Sequence, residues 1–270
     1  MLKQLTAVAV LSLGFSTVIV SQIETAPAGS GTSNDPYRIS SLNNLYWLSQ
    51  NSGCWGSYFV QTVDIDADST VYWDSGSGFT PIGHPSTNFT GTYHGGGHVI
   101  TGLVINRPAM DFVGMFCYTC GSTIDSLGLP SCSVSGYHFT GSLVGSNCDS
   151  STISNCYATG SVNGTFYTGG LVGINEQSST ISNCYATGSV SGSSDWIGGL
   201  VGYNSLSTII NCYTTGCVSG YGVTGGLVGI NDQFSTISNC YAAGRVYDAP
   251  DFTGGLVGFN MSSSTINICY

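Results

Sequence analysis

Apolar positions in this chain recur with a period far longer than that of a helix or a strand. A Leu-Val-Gly triplet begins at Leu143, Leu171, Leu200, Leu227 and Leu256. A Cys follows at Cys156, Cys184, Cys212, Cys240 and Cys269, spaced 28, 28, 28 and 29 residues apart. A degenerate earlier copy starts at Gly114-Met115-Phe116 and runs through Ser122 to Leu127. Each full copy holds three short apolar stretches: Gly-Gly-Leu-Val-Gly, Thr-Ile-Ser-Asn-Cys-Tyr-Ala and Ser-Val. Self-similarity at roughly 20–50 residues marks a solenoid or a propeller, and a propeller blade needs roughly 40–45 residues. The pattern therefore predicts an all-β fold, a parallel β-helix with one coil per repeat. Parallel crossovers have a strong chirality, so right-handed winding is expected.

In such a helix equivalent positions stack. Ile153, Ile181, Ile209, Ile237 and Ile266 are expected to form one core ladder, and Val162, Val190, Val218 and Val246 another. Two Asn columns accompany them. Asn155, Asn183, Asn211 and Asn239 precede the Cys, a column broken in the last copy by Ile268; Asn147, Asn175, Asn204, Asn231 and Asn260 follow the Gly-x pair. Asn tolerates the left-handed bends that corners need, and its amide can bond to the coils above and below. The segment after the Val ladder varies between copies, as binding-side insertions do.

The coils are read as residues 111–270. Residues 29–110 form a cap and lead-in. There Leu42, Leu45 and Leu48 mark a short helix with Ser41 as N-cap, a plug over the first coil. Ser57 to Ile65 alternates as one strand, and His94-Gly95-Gly96-Gly97-His98 reads as a glycine hairpin. Residues 1–28 have the form of a secretory signal: Lys3, an apolar run from Leu5 to Val20, and a small-x-small site at Ala26-Pro27-Ala28. The run is too short for a membrane span.

Charge narrows the function. Four basic residues against 14 acids give a formal net charge of -10, which excludes a nucleic-acid partner needing a cationic patch. Charged residues are 7% of the chain while 41% is apolar, so the surface is neutral and the chain folded. Of 11 cysteines, the five at the repeat period suit buried free thiols. Rungs lie roughly 4.8 Å apart, whereas disulfide Cβ atoms approach to about 3.8 Å. Cys54, Cys117, Cys120, Cys132, Cys148 and Cys217 lie off that ladder and are the better disulfide candidates. Cys117 and Cys120 form a lone CxxC, and no metal site or other cofactor is expected from it. Asp64, Asp66 and Asp68 lack the Gly and Glu of a calcium loop and are read as solvating a turn. His94 and His98 flank glycines rather than a helix, so they too are not read as a metal pair.

The repeat GGLVGINEQSSTISNCYATGSV, Gly169 to Val190, resembles the GLUG repeat of exported bacterial and archaeal surface proteins. The phrases NDPYRISSLNNL, DIDAD, PIG, FTGTYHGGGHVITGLVINRP and VGMF resemble the lead-in to such repeats. The resemblance implies a secreted or cell-surface, β-helical, adhesin-like module, found also beside immunoglobulin-A-specific metallopeptidases. No His-Glu-x-x-His motif occurs here, so peptidase activity is not carried over.

Two surface columns are candidates for contact. Tyr157, Tyr185, Tyr213 and Tyr241 follow the ladder Cys, so inward Cys puts Tyr outward. The rings then either stack on sugar faces or pack on one another. The residue after Val-Gly (Ser146, Ile174, Tyr203, Ile230, Phe259) is expected to form a second, exposed apolar column. The acids Asp149, Glu176, Asp195, Asp232, Asp248 and Asp251 shift position between copies. Only Glu176 and Asp232 share a register, two coils apart, which barely permits an inverting glycosidase pair. His84, His94, His98 and His138 make no triad. The expected function is a non-catalytic binding or structural module contacting a glycan or a host or cell-surface ligand. The alternatives are a β-helical polysaccharide lyase or hydrolase and a passive stalk. Because the last copy stops at Tyr270, a truncated product with an open edge liable to self-association is expected.

Overall fold

The computed structural model describes residues 22–247 and 252–270. Residues 1–21, which hold most of the expected signal segment, lie outside the described residues, as do Asp248 and Asp251.

The chain is a parallel β-solenoid. One coil contributes five short strands, Val144–Cys148, Thr152–Ser154, Tyr157–Ala158, Ser161–Gly164 and Phe166–Gly169; the next begins at Val172–Glu176. Each strand pairs in parallel with its copy in the neighbouring coil, so the molecule carries ladders of nine, six, five, six and five strands. Register is kept at the predicted period: Ile124, Ile153, Ile181, Ile209, Ile237 and Ile266 are successive partners. Ile153, Ile181, Ile209 and Ile237 are fully buried, and Val162, Val190 and Val218 nearly so.

Both Asn columns bond from coil to coil, but only the one that precedes the Cys turns left-handed corners. Asn155, Asn183, Asn211 and Asn239 sit at left-handed corners with φ of 53° to 55°, where a short polar side chain is tolerated best. Asn147, Asn175, Asn204 and Asn231 are fully buried and pass one amide bond along the axis. Asn147 Nδ2 donates to Asn175 Oδ1, Asn175 to Asn204 and Asn204 to Asn231, each at 2.8 Å. A parallel Ser column does the same for the backbone. The amides of Ser122, Ser151, Ser179 and Ser207 donate to the Ser Oγ of the next coil.

The lead-in belongs to the same stack. The nine-stranded ladder starts at Tyr37–Ile39 and passes through Tyr58–Gln61 and Thr92–His94 before reaching the repeats. Phe59, Phe79, Phe89, Tyr93 and Phe116, all essentially buried, fill these coils where Ile, Val and Cys fill the later ones. The predicted cap is present. Helix α1 spans Leu42–Gln50, Ser41 Oγ accepts from the Asn44 amide, and Leu45 and Leu48 are buried. Residues around the expected cleavage site are tied to it: Asn44 Nδ2 donates to Thr25 O at 2.8 Å, and Ala28 bridges Arg38 of the first strand.

Three local expectations are corrected. The stretch from Ser57 to Ile65 is two strands in different sheets, Tyr58–Gln61 and Ile65–Asp66. The buried Gln61 amide holds the corner between them, donating to Val63 O and Val99 O. The glycines at 95–97 make a coil corner, because the strands on either side pair with other coils rather than with each other. A Cβ at Gly95 would lie 2.3 Å from Ser126 O, so the close approach of two coils requires glycine there.

The third concerns the column after Val-Gly. Ser146 is fully buried, and Ile174 and Ile230 are each only 6% exposed. The strand closing each coil folds over the outer face of the Leu-Val-Gly strand of a later coil. A Cβ at Gly173 would lie 2.5 Å from the Phe139 carbonyl carbon, and one at Gly202 2.4 Å from that of Tyr167. Leu and Val do alternate faces, but both faces are covered. Phe259, in the last copy, is exposed, as is Ile266.

This close approach predicts that Gly202→Ala destabilises the protein by about 1–3 kcal/mol through overpacking. Gly53→Ala, with nothing within 4 Å of its added Cβ, is expected to stay within about 0.5 kcal/mol. Urea midpoints at unchanged slope would measure both. Equal midpoints would remove the steric role of the Leu-Val-Gly glycine.

Candidate functional site

In each repeat coil the Asn corner turns the chain so that Cys points inward and Tyr outward. Cys156, Cys184, Cys212 and Cys240 are essentially buried. The sulfurs of Cys184, Cys212 and Cys240 each accept from the backbone amide of the preceding coil's Cys, at 3.3 to 3.4 Å. Each thiol donates to the carbonyl two residues before it. The thiol is thus a small apolar residue that also satisfies a corner. All 11 cysteines of the chain lie among the described residues and are free.

The outward tyrosines form a single stack. Ring centroids of Tyr157, Tyr185, Tyr213 and Tyr241 are 4.8, 4.8 and 5.0 Å apart, with interplanar angles of 4°, 9° and 3°. Tyr270 continues the stack at 5.7 Å. Tyr157 lies over Gly128, where a Cβ would come within 2.5 Å of its ring. The π-faces are therefore turned on each other, and the half-buried rings offer edges and hydroxyls. Burial, and then the neighbouring phenols, push the Tyr185 hydroxyl above its ordinary range, so it remains a neutral donor. Beside the stack run exposed Asn amides, with Asn211 Nδ2 donating to Asn183 Oδ1 and Asn239 to Asn211, both at 3.2 Å. Half-buried Thr152, Ser154, Thr180 and Ser182 border them. The result is a strip of aromatic edges, amides and hydroxyls without formal charge.

A second aromatic stack escaped the sequence reading. Phe112, Phe139, Tyr167 and Trp196 follow one another at 4.6, 4.5 and 4.5 Å. All four have left-handed φ, between 52° and 66°. From Phe139 on, the residue lies four positions before each Leu-Val-Gly. Counting backward from that triplet would have aligned it; counting forward from the Val ladder, across a segment of variable length, does not.

The acids and histidines are engaged locally. Asp64 Oδ1 accepts from Val99 N and His98 Nδ1, at 3.1 and 3.0 Å. The backbone bond, then the histidine, holds its carboxyl below the usual range. Asp66 caps the amide of Asp68. His94 pairs with Asp125, and His138 with Asp111. His94 and His98 thus address different carboxylates. Glu176 and Asp232 share one column with Ser205 between them. Asp232 accepts from the Tyr203 hydroxyl and the Gln233 amide, at 3.0 and 2.7 Å. Burial raises the Glu176 carboxyl. Cys117 and Cys120, three apart in the strand Phe116–Cys120, point to opposite faces. Cys120 instead meets Cys148, its partner in the next coil.

The thiolate is the reactive form, and burial pushes the Cys184 thiol above its ordinary range, so it stays protonated at pH 8. Cys217 is exposed. Iodoacetamide at pH 8, followed by peptide mass spectrometry, should label Cys217 more than about a hundredfold faster than Cys184, with equal rates once the protein is unfolded. Comparable native rates would contradict the buried Cys ladder.

Comparison with known proteins agrees with the coil pattern. The GLUG motif matches residues 164–191 and 220–247. Halomucin of Haloquadratum walsbyi is 34% identical over 137 residues, which is 49% of this chain and 2% of halomucin. A provisionally named Gly-rich membrane protein of Evansella cellulosilytica is 37% identical over 89 residues, 33% of this chain and 10% of that protein. The chain therefore spans a small fraction of either relative. In fold it is similar to a provisionally assigned immunoglobulin A1 protease from Bacteroides ovatus, with a TM-score of 0.71 at 24% identity over 90% of this chain and 76% of the other. Residues 164–191 and 220–247 are thus GLUG-motif coils of a parallel β-solenoid whose sequence relatives carry the names of a halomucin and a membrane protein.

Proposed function

We propose that this chain is an exported, non-catalytic module of a surface protein, adhesin-like, whose tyrosine strip contacts a neutral glycan. The single observation that carries this reading is the stack of Tyr157, Tyr185, Tyr213 and Tyr241 at 4.8 to 5.0 Å. The repeat is close to the length of one pyranose unit in an extended chain, so a polymer lying along the axis meets the same edge, amide and hydroxyl set at every residue. The neutrality of the strip favours an uncharged ligand, since a charged one would find no counter-charge among the Asn, Ser and Thr side chains. The engaged acids support a non-catalytic role: Asp64, Asp66 and Asp232 each already accept hydrogen bonds. Export rests on the apolar run and small-x-small site in residues 1–28, and the names of the sequence relatives, a halomucin and a membrane protein, support it.

The test presents the protein to immobilised neutral polysaccharides, with and without calcium, following retention and new reducing ends. Retention without cleavage is expected. Tyr185→Ala combined with Tyr213→Ala should weaken it roughly tenfold, in line with loss of one to two kcal/mol of aromatic contact, and Trp196→Ala should leave it unchanged. New reducing ends would replace this reading with the enzyme, and absence of both signals would leave a stalk.

A further inference from the structure

Outside the tyrosine strip, one column at the end of the Val-Gly strands carries chemistry of a different kind. Cys120 and Cys148 are register partners in adjacent coils. One coil further, Glu176 follows Asn175 as Cys148 follows its partner Asn147. The two sulfurs are 3.3 Å apart. Asp149, at a left-handed corner with φ of 52°, brings Oδ2 to 2.8 Å from Cys120 Sγ. Donor atoms of Cys120, Cys148 and Asp149 all lie within 4.8 Å of one another. The Glu176 carboxyl lies 3.5 Å from Ser146 Oγ, two residues before Cys148 in the same strand. Cys148 is 2% exposed and Cys120 and Glu176 are half-buried, while Asp149 faces solvent. The cluster is thus walled on the protein side and open at one corner.

We propose that Cys120, Cys148 and Asp149 bind a borderline-soft divalent cation of the zinc class, with the Glu176 carboxyl, one coil along the same column, swinging in from Ser146 as fourth donor. Two sulfurs and two carboxylates make a four-coordinate set that thiolate-binding metals accept and that calcium or magnesium, which take oxygen alone, do not. Metal–sulfur bonds of about 2.3 Å at tetrahedral angles hold two sulfurs about 3.8 Å apart, so the pair opens by about half an ångström. Binding replaces the two thiol protons, which leave to solvent, with two metal–sulfur bonds and requires no oxidant. A disulfide between the same residues fits the chemistry less well. It would remove the thiol proton that Asp149 now accepts and leave a carboxylate against a sulfur with nothing to donate. The cation takes up all four groups at once and ties the degenerate copy to the first two regular coils.

Full-length protein kept reduced with a phosphine is titrated with Co2+, then Zn2+, with all thiols counted beforehand. The expected result is one Co2+ per chain with a thiolate-to-cobalt charge-transfer absorption that Zn2+ abolishes. The double variant Cys120→Ser, Cys148→Ser loses the absorption, and Asp149→Asn weakens Zn2+ binding roughly tenfold or more, with circular dichroism unchanged. A second measurement needs no variant: Zn2+ slows alkylation of Cys120 roughly tenfold or more while the exposed Cys217 keeps its rate. The proposal is overturned if reduced protein shows no thiolate absorption, if the absorption survives the double variant, or if Zn2+ fails to protect Cys120. It is equally overturned if Cys120 and Cys148 are recovered as a disulfide that the phosphine does not open.

Discussion

The structure depends on parallel, in-register stacking of coils at one strand spacing, roughly 4.8 Å. Under that constraint every interior position must tolerate a copy of itself directly above and below. Ile and Val do so by packing, as the buried Ile153 to Ile237 ladder does. Asn does so by passing its amide to the next Asn, and Ser by accepting from the backbone of the previous coil. Cys does so as a small group whose sulfur both accepts and donates at a corner. A charge in any of these columns would meet its own copy and be repelled, and the scarcity of charged residues follows from this as much as from the surface.

Glycine supplies the second half of the architecture. At Gly173 and Gly202 the backbone of an earlier coil lies where a Cβ would stand. This allows the closing strand of each coil to cover the outer face of the Val-Gly strand. The same packing forces Phe139, Tyr167 and Trp196 into left-handed conformations, and stacking their rings offsets part of that cost. The outer surface is consequently built from two ring stacks of different origin. One, from Tyr157 to Tyr241, sits on regular strands; the other rides on strained corners.

Stacking also decides what kind of site such a fold offers. Rings 4.8 Å apart in register consume one another's faces, so contact with a ligand passes through edges and hydroxyls repeated along an axis. A repeating ligand suits this better than a compact one. Where the repeat is imperfect, as at Cys120, Cys148 and Glu176, a column holds unlike groups side by side and local chemistry becomes possible.

The periodic features were legible from residues alone. The coil period, the Ile and Val ladders, the buried thiols, the Asn corners and the Ser41-capped helix all follow from spacing and side-chain type, because stacking preserves sequence period as spatial register. Tertiary structure decided what crosses between coils. The alternation of Leu and Val shows that the strand has two faces, but not that the closing strand covers the outer one. Sequence places Tyr outward without showing that its faces are spent on its neighbours. It puts Cys120 three residues from Cys117, whereas pleating separates that pair and register unites Cys120 with Cys148, 28 residues away. Period belongs to the chain, but contact across the period depends on how far each coil can approach the next, and that distance is set by packing.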